Sequence, residues 1–429
     1  MDKSPIVTIS YNDLPAADAD NSCGSSSTST SSPSPALLER IGRAFGSSPD
    51  SLGILAVTDV PSFPSLRRRL LPLARTVATL SPEQLSEVTV PEAGYQVGWS
   101  HGKERVEGDK FDVGKGSYYA NPLADDFLGA VTDRRRRSRK ADDKEGGSDA
   151  LFGIDDEVPR EELDRAAAAN PAFFAPNVWP SNSVPELEGT AKEMGSLVRD
   201  VGRRVARLCD AYVAEQCPGY SRGKLDSVLT NSLCCKARLL HYFAAEEEQA
   251  GSSPDAASGD GNDAKDADFS DWCGWHNDHG SLTGLVPAMY LDADGRPVDC
   301  PDPSAGLYIK SRSGRLVRAA VPEGALAFQV GETTQVHTGG VLQATPHAVR
   351  GCRRAGGNAG EGVTREAFAV FMEPEYHGDM SIPEGRTVED TQRIDAEKHL
   401  PPSVKTLRSR WKPGMNFGEF SDATFAAFH

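Results

Sequence analysis

Leu282-Thr283-Gly284-Leu285-Val286-Pro287-Ala288-Met289-Tyr290-Leu291, Gly306-Leu307-Tyr308-Ile309-Lys310, Leu316-Val317-Arg318-Ala319-Ala320 and Ala325-Leu326-Ala327-Phe328-Gln329-Val330 follow one another as short apolar runs. Gly, Pro, Asp and Ser clusters separate them, and such punctuated runs read as strands joined by turns. Cys235 to Phe243 upstream, and His347 to Val349 and Glu366 to Phe371 downstream, continue the pattern. Many short strands at regular spacing predict a sandwich or a jelly-roll barrel. The amino-terminal half reads differently. Val184 to Gln216 carries Leu187, Ala191, Met194, Leu197, Val198, Val201, Val205 and Leu208 at three- and four-residue steps, the stripe of a long core-facing helix. Leu37 to Phe45 reads as a short helix, Gly53 to Thr58 as a strand, and Ser65 to Leu80 as an amphipathic helix interrupted at Pro72. The expected class is α+β, a double-stranded β-helix (jelly-roll) core with flanking helices.

Four segments are too poor in apolar residues to repay the entropy of ordering: Ser22 to Pro35, Asp133 to Asp149, Glu246 to Asp268 and Arg353 to Gly362. They read as disordered insertions in an enzyme-sized framework. The expected organisation is a mostly helical region over residues 1–230, the jelly roll over 231–375 and a carboxyl-terminal segment over 376–429.

With 429 residues and a formal charge of −16, the chain would repel nucleic acid and anionic membranes. No run approaches the roughly 20 apolar residues of a membrane span, and the first residues lack a signal-peptide core. A cytoplasmic monomer acting on a small molecule, with neither nucleic acid nor membrane as partner, is the expectation. The eight cysteines show no repeated CxxC spacing and read as reduced thiols, Cys234 and Cys235 included.

Trp275-His276-Asn277-Asp278-His279-Gly280 places a His and an Asp two residues apart. On extended backbone they project from one face and can converge on one ion. His347, on a later strand, would supply a third ligand. Two imidazoles and a carboxylate leave open positions on Fe(II), and zinc accepts the same ligand types. Arg365 opens a strand whose alternate residues face the barrel interior, where a guanidinium must be paired with a carboxylate, from a small molecule or from the protein itself. Tyr242 could donate its hydroxyl to the same carboxylate or simply sit in the core.

The region from Ala237 to Pro374 resembles the plant and fungal 2-oxoglutarate/Fe(II) oxygenases related to isopenicillin N synthase. The likeness rests on Gly306 to Lys310, the run Val321-Pro322-Glu323-Gly324-Ala325-Leu326 with Gly331-Glu332, the His347 region, Arg365-Glu366-Ala367 and Glu373-Pro374. Pro5 to Ser10, Gly53 to Thr58 and Asn177-Val178-Trp179-Pro180 are similar to amino-terminal segments of that family. The resemblance implies a non-haem Fe(II) dioxygenase, an oxidoreductase using Fe(2+), 2-oxoglutarate and O2. It implies His276, Asp278 and His347 as iron ligands and Arg365 with Tyr242 as the cosubstrate anchor. Three departures stand out: Ala367 replaces the usual serine, Leu240 replaces a polar residue, and the interval from His347 to Arg365 is lengthened to 18 residues. They keep two other readings open, an Fe(II) oxidase that does not use 2-oxoglutarate and a catalytically silent binding protein of the same fold. The substrate and the outcome, whether hydroxylation, desaturation or ring closure, are not legible.

His279 is expected to face away from Asp278, and His337 to lie in a turn with a pocket or surface role. Gly98 to Lys103 and Lys115 to Pro122 read as aromatic loops that either line the substrate mouth or pack on the core. The basic run Arg134 to Lys140 reads as a solvated linker.

Overall fold

The computed structural model describes residues 3–16, 33–104, 111–142, 153–244, 273–352 and 362–428. The expected insertions at Glu246 to Asp268 and, for all but their last residues, Ser22 to Pro35 and Arg353 to Gly362 lie outside the described residues, as does Cys23.

Among the described residues, fourteen strands alternate with helices: β1 Lys3–Pro5, β2 Val7–Ser10, β3 Ile54–Thr58, β4 Gly98–His101, β5 Lys115–Ala120, β6 Cys235–Tyr242, β7 Cys273–His276, β8 Leu282–Leu291, β9 Pro297–Val298, β10 Gly306–Lys310, β11 Leu316–Ala320, β12 Leu326–Val330, β13 His347–Arg350 and β14 Thr364–Met372. The helices are α1 Pro35–Phe45, α2 Phe63–Leu70, α3 Pro72–Ala78, α4 Pro82–Glu87, α5 Phe127–Asp142, α6 Arg160–Ala169, α7 Pro171–Phe174, α8 Glu186–Gln216, α9 Lys224–Asn231, α10 Glu332–His337, α11 Val388–Gln392 and α12 Phe417–Phe428. Pro72 divides α2 from α3, as expected of a residue that cannot donate to the helix ladder.

The strands form two sheets. The smaller has the order β1-β11-β10-β13-β7; the larger runs β2-β3-β12-β8-β14-β6-β5-β4, with β9 added to β8. The jelly-roll expectation holds. Its first strand segment joins the sheets, since β1 pairs with β11 of one and β2, two residues later, pairs with β3 of the other.

The large sheet has two unlike faces. Phe328, Phe368, Val370 and Met372 point to the helical side and pack with Met194, Val198, Val201 and Val205 of α8 in the main core. Gly284 lets α8 approach, because a Cβ there would lie 2.2 Å from Val198 Cγ1. The opposite face carries Ala288, Ala327, Ala367 and Ala369, and these small side chains leave a cavity between the sheets.

Three local expectations are overturned. Gly98–His101 and Lys115–Ala120 are strands that widen the large sheet, not loops; they do not line the cavity, and of the two roles expected of them it is packing on the core that holds, through Trp99, Tyr118 and Ala120. The basic run is not a linker: α5 continues to Asp142, and Arg134 is buried against Asp156 (2.5 Å) and Glu375 (3.2 Å). His337 is neither turn nor pocket but the buried end of α10, its Nε2 2.7 Å from the Asp379 carbonyl oxygen.

Candidate metal centre and active-site cavity

β7 and β13 pair antiparallel with His276 directly opposite His347. Directly opposed residues share a face and hold their Cβ atoms about 5 Å apart, and the two imidazole centroids lie 4.3 Å from each other. Asp278 follows β7 at the next same-face position, with its Oδ1 3.8 Å from Nε2 of both histidines. The three candidate ligand atoms all lie within 4.8 Å of one another, and no other such group of three occurs among the described residues.

Hydrogen bonding selects the tautomers. His276 Nδ1 is 2.8 Å from the Gly274 carbonyl and His347 Nδ1 is 3.3 Å from the Thr345 carbonyl, so in the neutral, metal-binding form each Nδ1–H donates outward and each Nε2 lone pair faces Asp278. Asp278 Oδ2 is buried without a hydrogen-bond partner. A buried carboxylate that leaves one oxygen unpaired, beside two imidazoles that lie 3.8 Å from its other oxygen, is costly unless a cation takes it, so the donor set fits a metal ion. Burial pulls the His276 pKa down, but Cys273 and Asp278 hold it up at about 9, while burial and the neighbouring His276 push His347 down to about 4.

The cluster opens into a cavity of about 730 Å³ between the sheets. At one end Arg365 of β14 is in register with Tyr242 of β6 on one side and Tyr290 of β8 on the other. Its guanidinium carbon lies 4.7 Å from the Tyr242 ring centroid. Burial works against its charge, but both tyrosine hydroxyls, which hydrogen-bond to it, hold its pKa above the usual guanidinium range. Arg238, also on β6, lines another part of the wall. Its Nε is 3.0 Å from Ser117 Oγ, and it forms an ion pair with Glu104. Burial would raise the Glu104 carboxyl, but Arg238, Lys115 and Tyr119 hold it at about 2.

All five residues singled out in the sequence (His276, Asp278, His347, Arg365 and Tyr242) line this one cavity. His279 does face away: its ring stacks on Phe417 at 5.8 Å and 4°. Tyr290 and Arg238 were missed. Each sits in an ordinary apolar run, and only strand register, which composition does not reveal, sets Tyr290 beside Arg365 and Arg238 opposite Tyr119.

A jelly roll with a two-histidine, one-carboxylate cluster between its sheets defines the class. Among solved structures, the chain is similar to a full-length Neurospora crassa protein in complex with α-KG, at 19% identity and a TM-score of 0.53 over 91% of this chain and 89% of that one. A 2OG-Fe(II) oxygenase family protein from Caulobacter crescentus gives 16%, 0.55, 91% and 95%, and JOX2 in complex with 2OG, Fe and JA gives 13%, 0.51, 97% and 83%. No protein-family model and no curated protein sequence matches the chain. The fold is that of the 2OG-Fe(II) oxygenases.

Proposed function

We propose that this chain is a non-haem Fe(II) oxygenase that couples oxidative decarboxylation of 2-oxoglutarate to oxidation of a small organic substrate. The observation that carries the reading is one cavity with two chemically matched ends, the His276, Asp278 and His347 cluster and the Arg365 guanidinium between two tyrosines. Bound together, Fe(II) and 2-oxoglutarate supply O2 activation for attack on an unreactive C–H bond.

The chain's own contribution is placement. His276, Asp278 and His347 would hold the metal at the cavity wall, where it would supply the binding of O2 and of the cosubstrate's 2-oxo acid group. Arg365 receives the far carboxylate of the cosubstrate, and the Tyr242 and Tyr290 hydroxyls orient the guanidinium. Tyr290 weighs against an oxidase that dispenses with 2-oxoglutarate, because it adds a hydroxyl beside Arg365 where Ala367 lacks the usual serine. The alanine-rich wall gives the substrate room, and Arg238, braced by Glu104, offers it a donor. The Neurospora crassa protein in complex with α-KG and thymine is a case of this fold holding a molecule of modest size.

The test is anaerobic titration of apoprotein with Fe(II) and 2-oxoglutarate, following the weak visible charge-transfer band of the chelate. Wild type should give a band that needs both components, and Arg365→Ala should need at least about tenfold more 2-oxoglutarate. Iron binding without the band would leave the oxidase, and no iron binding would leave a silent binding protein.

A further inference from the structure

We infer that the carboxyl-terminal segment positions the metal-binding loop, with Arg410 acting through Glu332 on Asn277, and α12 acting on His279, so that both neighbours of Asp278 are fixed. The inference rests on His276, Asp278 and His347 being the metal ligands.

The loop after β7 turns sharply, and its carbonyls need donors. They find them in the turn that opens α10. The N–H of Glu332 donates to Asp278 O (2.8 Å), that of Thr333 to His279 O and Gly280 O (3.2 Å each), and that of Gly331 to Ser281 O (3.1 Å). The hydroxyls of Thr333 and Thr334 donate to His279 O and Ser281 O at 2.7 Å each. The approach is so close that a Cβ at Gly331 would lie 2.1 Å from Gly280 O.

Glu332 grips the loop a second time with its side chain, since Asn277 Nδ2 donates to Glu332 Oε1 at 3.2 Å. The same oxygen accepts from Arg410 Nη2 at 2.6 Å, in an ion pair whose side chains are 3% and 2% exposed. Arg410 is in turn fixed from the carboxyl-terminal segment, by Lys405 O (3.1 Å) and Thr424 Oγ1 (3.0 Å). A buried ion pair roughly breaks even as a source of stability, because desolvation cancels most of the attraction. What it does supply is a carboxylate locked in one rotamer, aimed at the residue between His276 and Asp278.

On the other side of Asp278, α12 supplies an aromatic socket. His279 stacks on Phe417, meets Phe425 edge-on at 5.5 Å and 73°, and has Ser421 Oγ 3.3 Å from its Nε2. Two independent contacts from residues 405–425 therefore bracket the carboxylate ligand. Asp278 itself spends no side-chain bond on this support, and its Oδ2 stays available.

The experiment is Co(II) titration of the full-length apoprotein, reading affinity and the shape of the d–d bands, with near-UV circular dichroism to monitor folding. Asn277→Ala and Arg410→Met should each weaken Co(II) binding about 10- to 100-fold and alter the bands. Arg410→Lys should recover part of the loss, and the double variant should be no weaker than the worse single one, since both cut one path. Asn277→Ala leaves the ion pair intact and carries the test if Arg410→Met does not fold. Wild-type affinity and bands in folded Asn277→Ala would overturn the inference. His276→Ala is the control: if wild type binds no Co(II), or His276→Ala binds it as well as wild type does, the ligand assignment fails and the inference falls with it.

Discussion

Arg365 shows how much of a site one register can decide. On the sequence it is a cation at the start of an apolar strand, and its partner could be any carboxylate. In the sheet it lies between Tyr242 and Tyr290, facing the cavity that holds the histidines. A hydroxyl that steadies a guanidinium for a charged ligand is worth about 1.5 kcal/mol or more. Tyr290→Phe should therefore raise the 2-oxoglutarate dissociation constant about tenfold while leaving metal affinity unchanged; equal weakening of both would mean that the hydroxyl supports the cavity as a whole and not Arg365 in particular. Glu373 gives a second prediction at this scale. Burial lifts its pKa to about 7 against the opposing pull of Lys236, and His279 Nε2 stands 3.8 Å away. The folded state then holds a proton that the unfolded chain, titrating near 4.5, has released. Stability accordingly falls as pH rises from about 4.5 through 7, and the cost is full above that window. Glu373→Gln should raise Tm by about 3 °C at pH 8 and leave it unchanged at pH 4.5.

Whole elements were more legible than their neighbours in space. β8, β10 and β11 match the apolar runs that announced them, and α8 begins at Glu186, two residues after the expected start and directly after Pro185, which has no N–H to donate. β4 and β5 escaped because Gly98, Ser100, Gly116 and Ser117 dilute their pattern, yet β5 is buried along its whole length beside β6. α5 escaped because its arginines look solvated, while the carboxylates that bury Arg134 lie far along the chain at Asp156 and Glu375. Long-range pairing of this kind leaves no local trace. The proposed ligands His276, Asp278 and His347 were legible because their spacing on extended chain sufficed; the residues inferred to position them were not, because they come from α10 and the carboxyl-terminal segment. A similar hidden support acts on β8, where the register shifts opposite β14 between Glu366 and Phe368. Arg67 of α2 donates from Nε to Pro287 O (2.8 Å) and from Nη2 to Ala288 O (2.6 Å), holding the strand at the irregularity that precedes Tyr290. Arg67→Met strands both carbonyls and should cost about 2 kcal/mol of stability. It should also weaken 2-oxoglutarate binding with no change in metal affinity, as paired denaturation and titration experiments would read.

At the scale of the whole molecule the formal charge of −16 opposes the approach of the cosubstrate proposed for the site. 2-Oxoglutarate is a dianion, and Arg365 attracts it only at close range, whereas the surrounding surface repels it over the distance of approach. Salt separates the two effects by their reach. The Debye length shortens from about 30 Å at 0.01 M to about 8 Å at 0.15 M, which erases the far field but leaves a contact inside the cavity largely intact. Raising sodium chloride over that range should therefore lower the 2-oxoglutarate dissociation constant several-fold. Fe(II), a cation drawn by the same surface, should respond in the opposite sense. Titrations of each ligand at both ionic strengths decide the matter, with chloride competition checked by repeating them in potassium acetate. A 2-oxoglutarate affinity that weakens with salt would mean that Arg365, Arg238 and Lys115 govern the approach as well as the contact, and that the acidic surface plays no part in how the cosubstrate arrives.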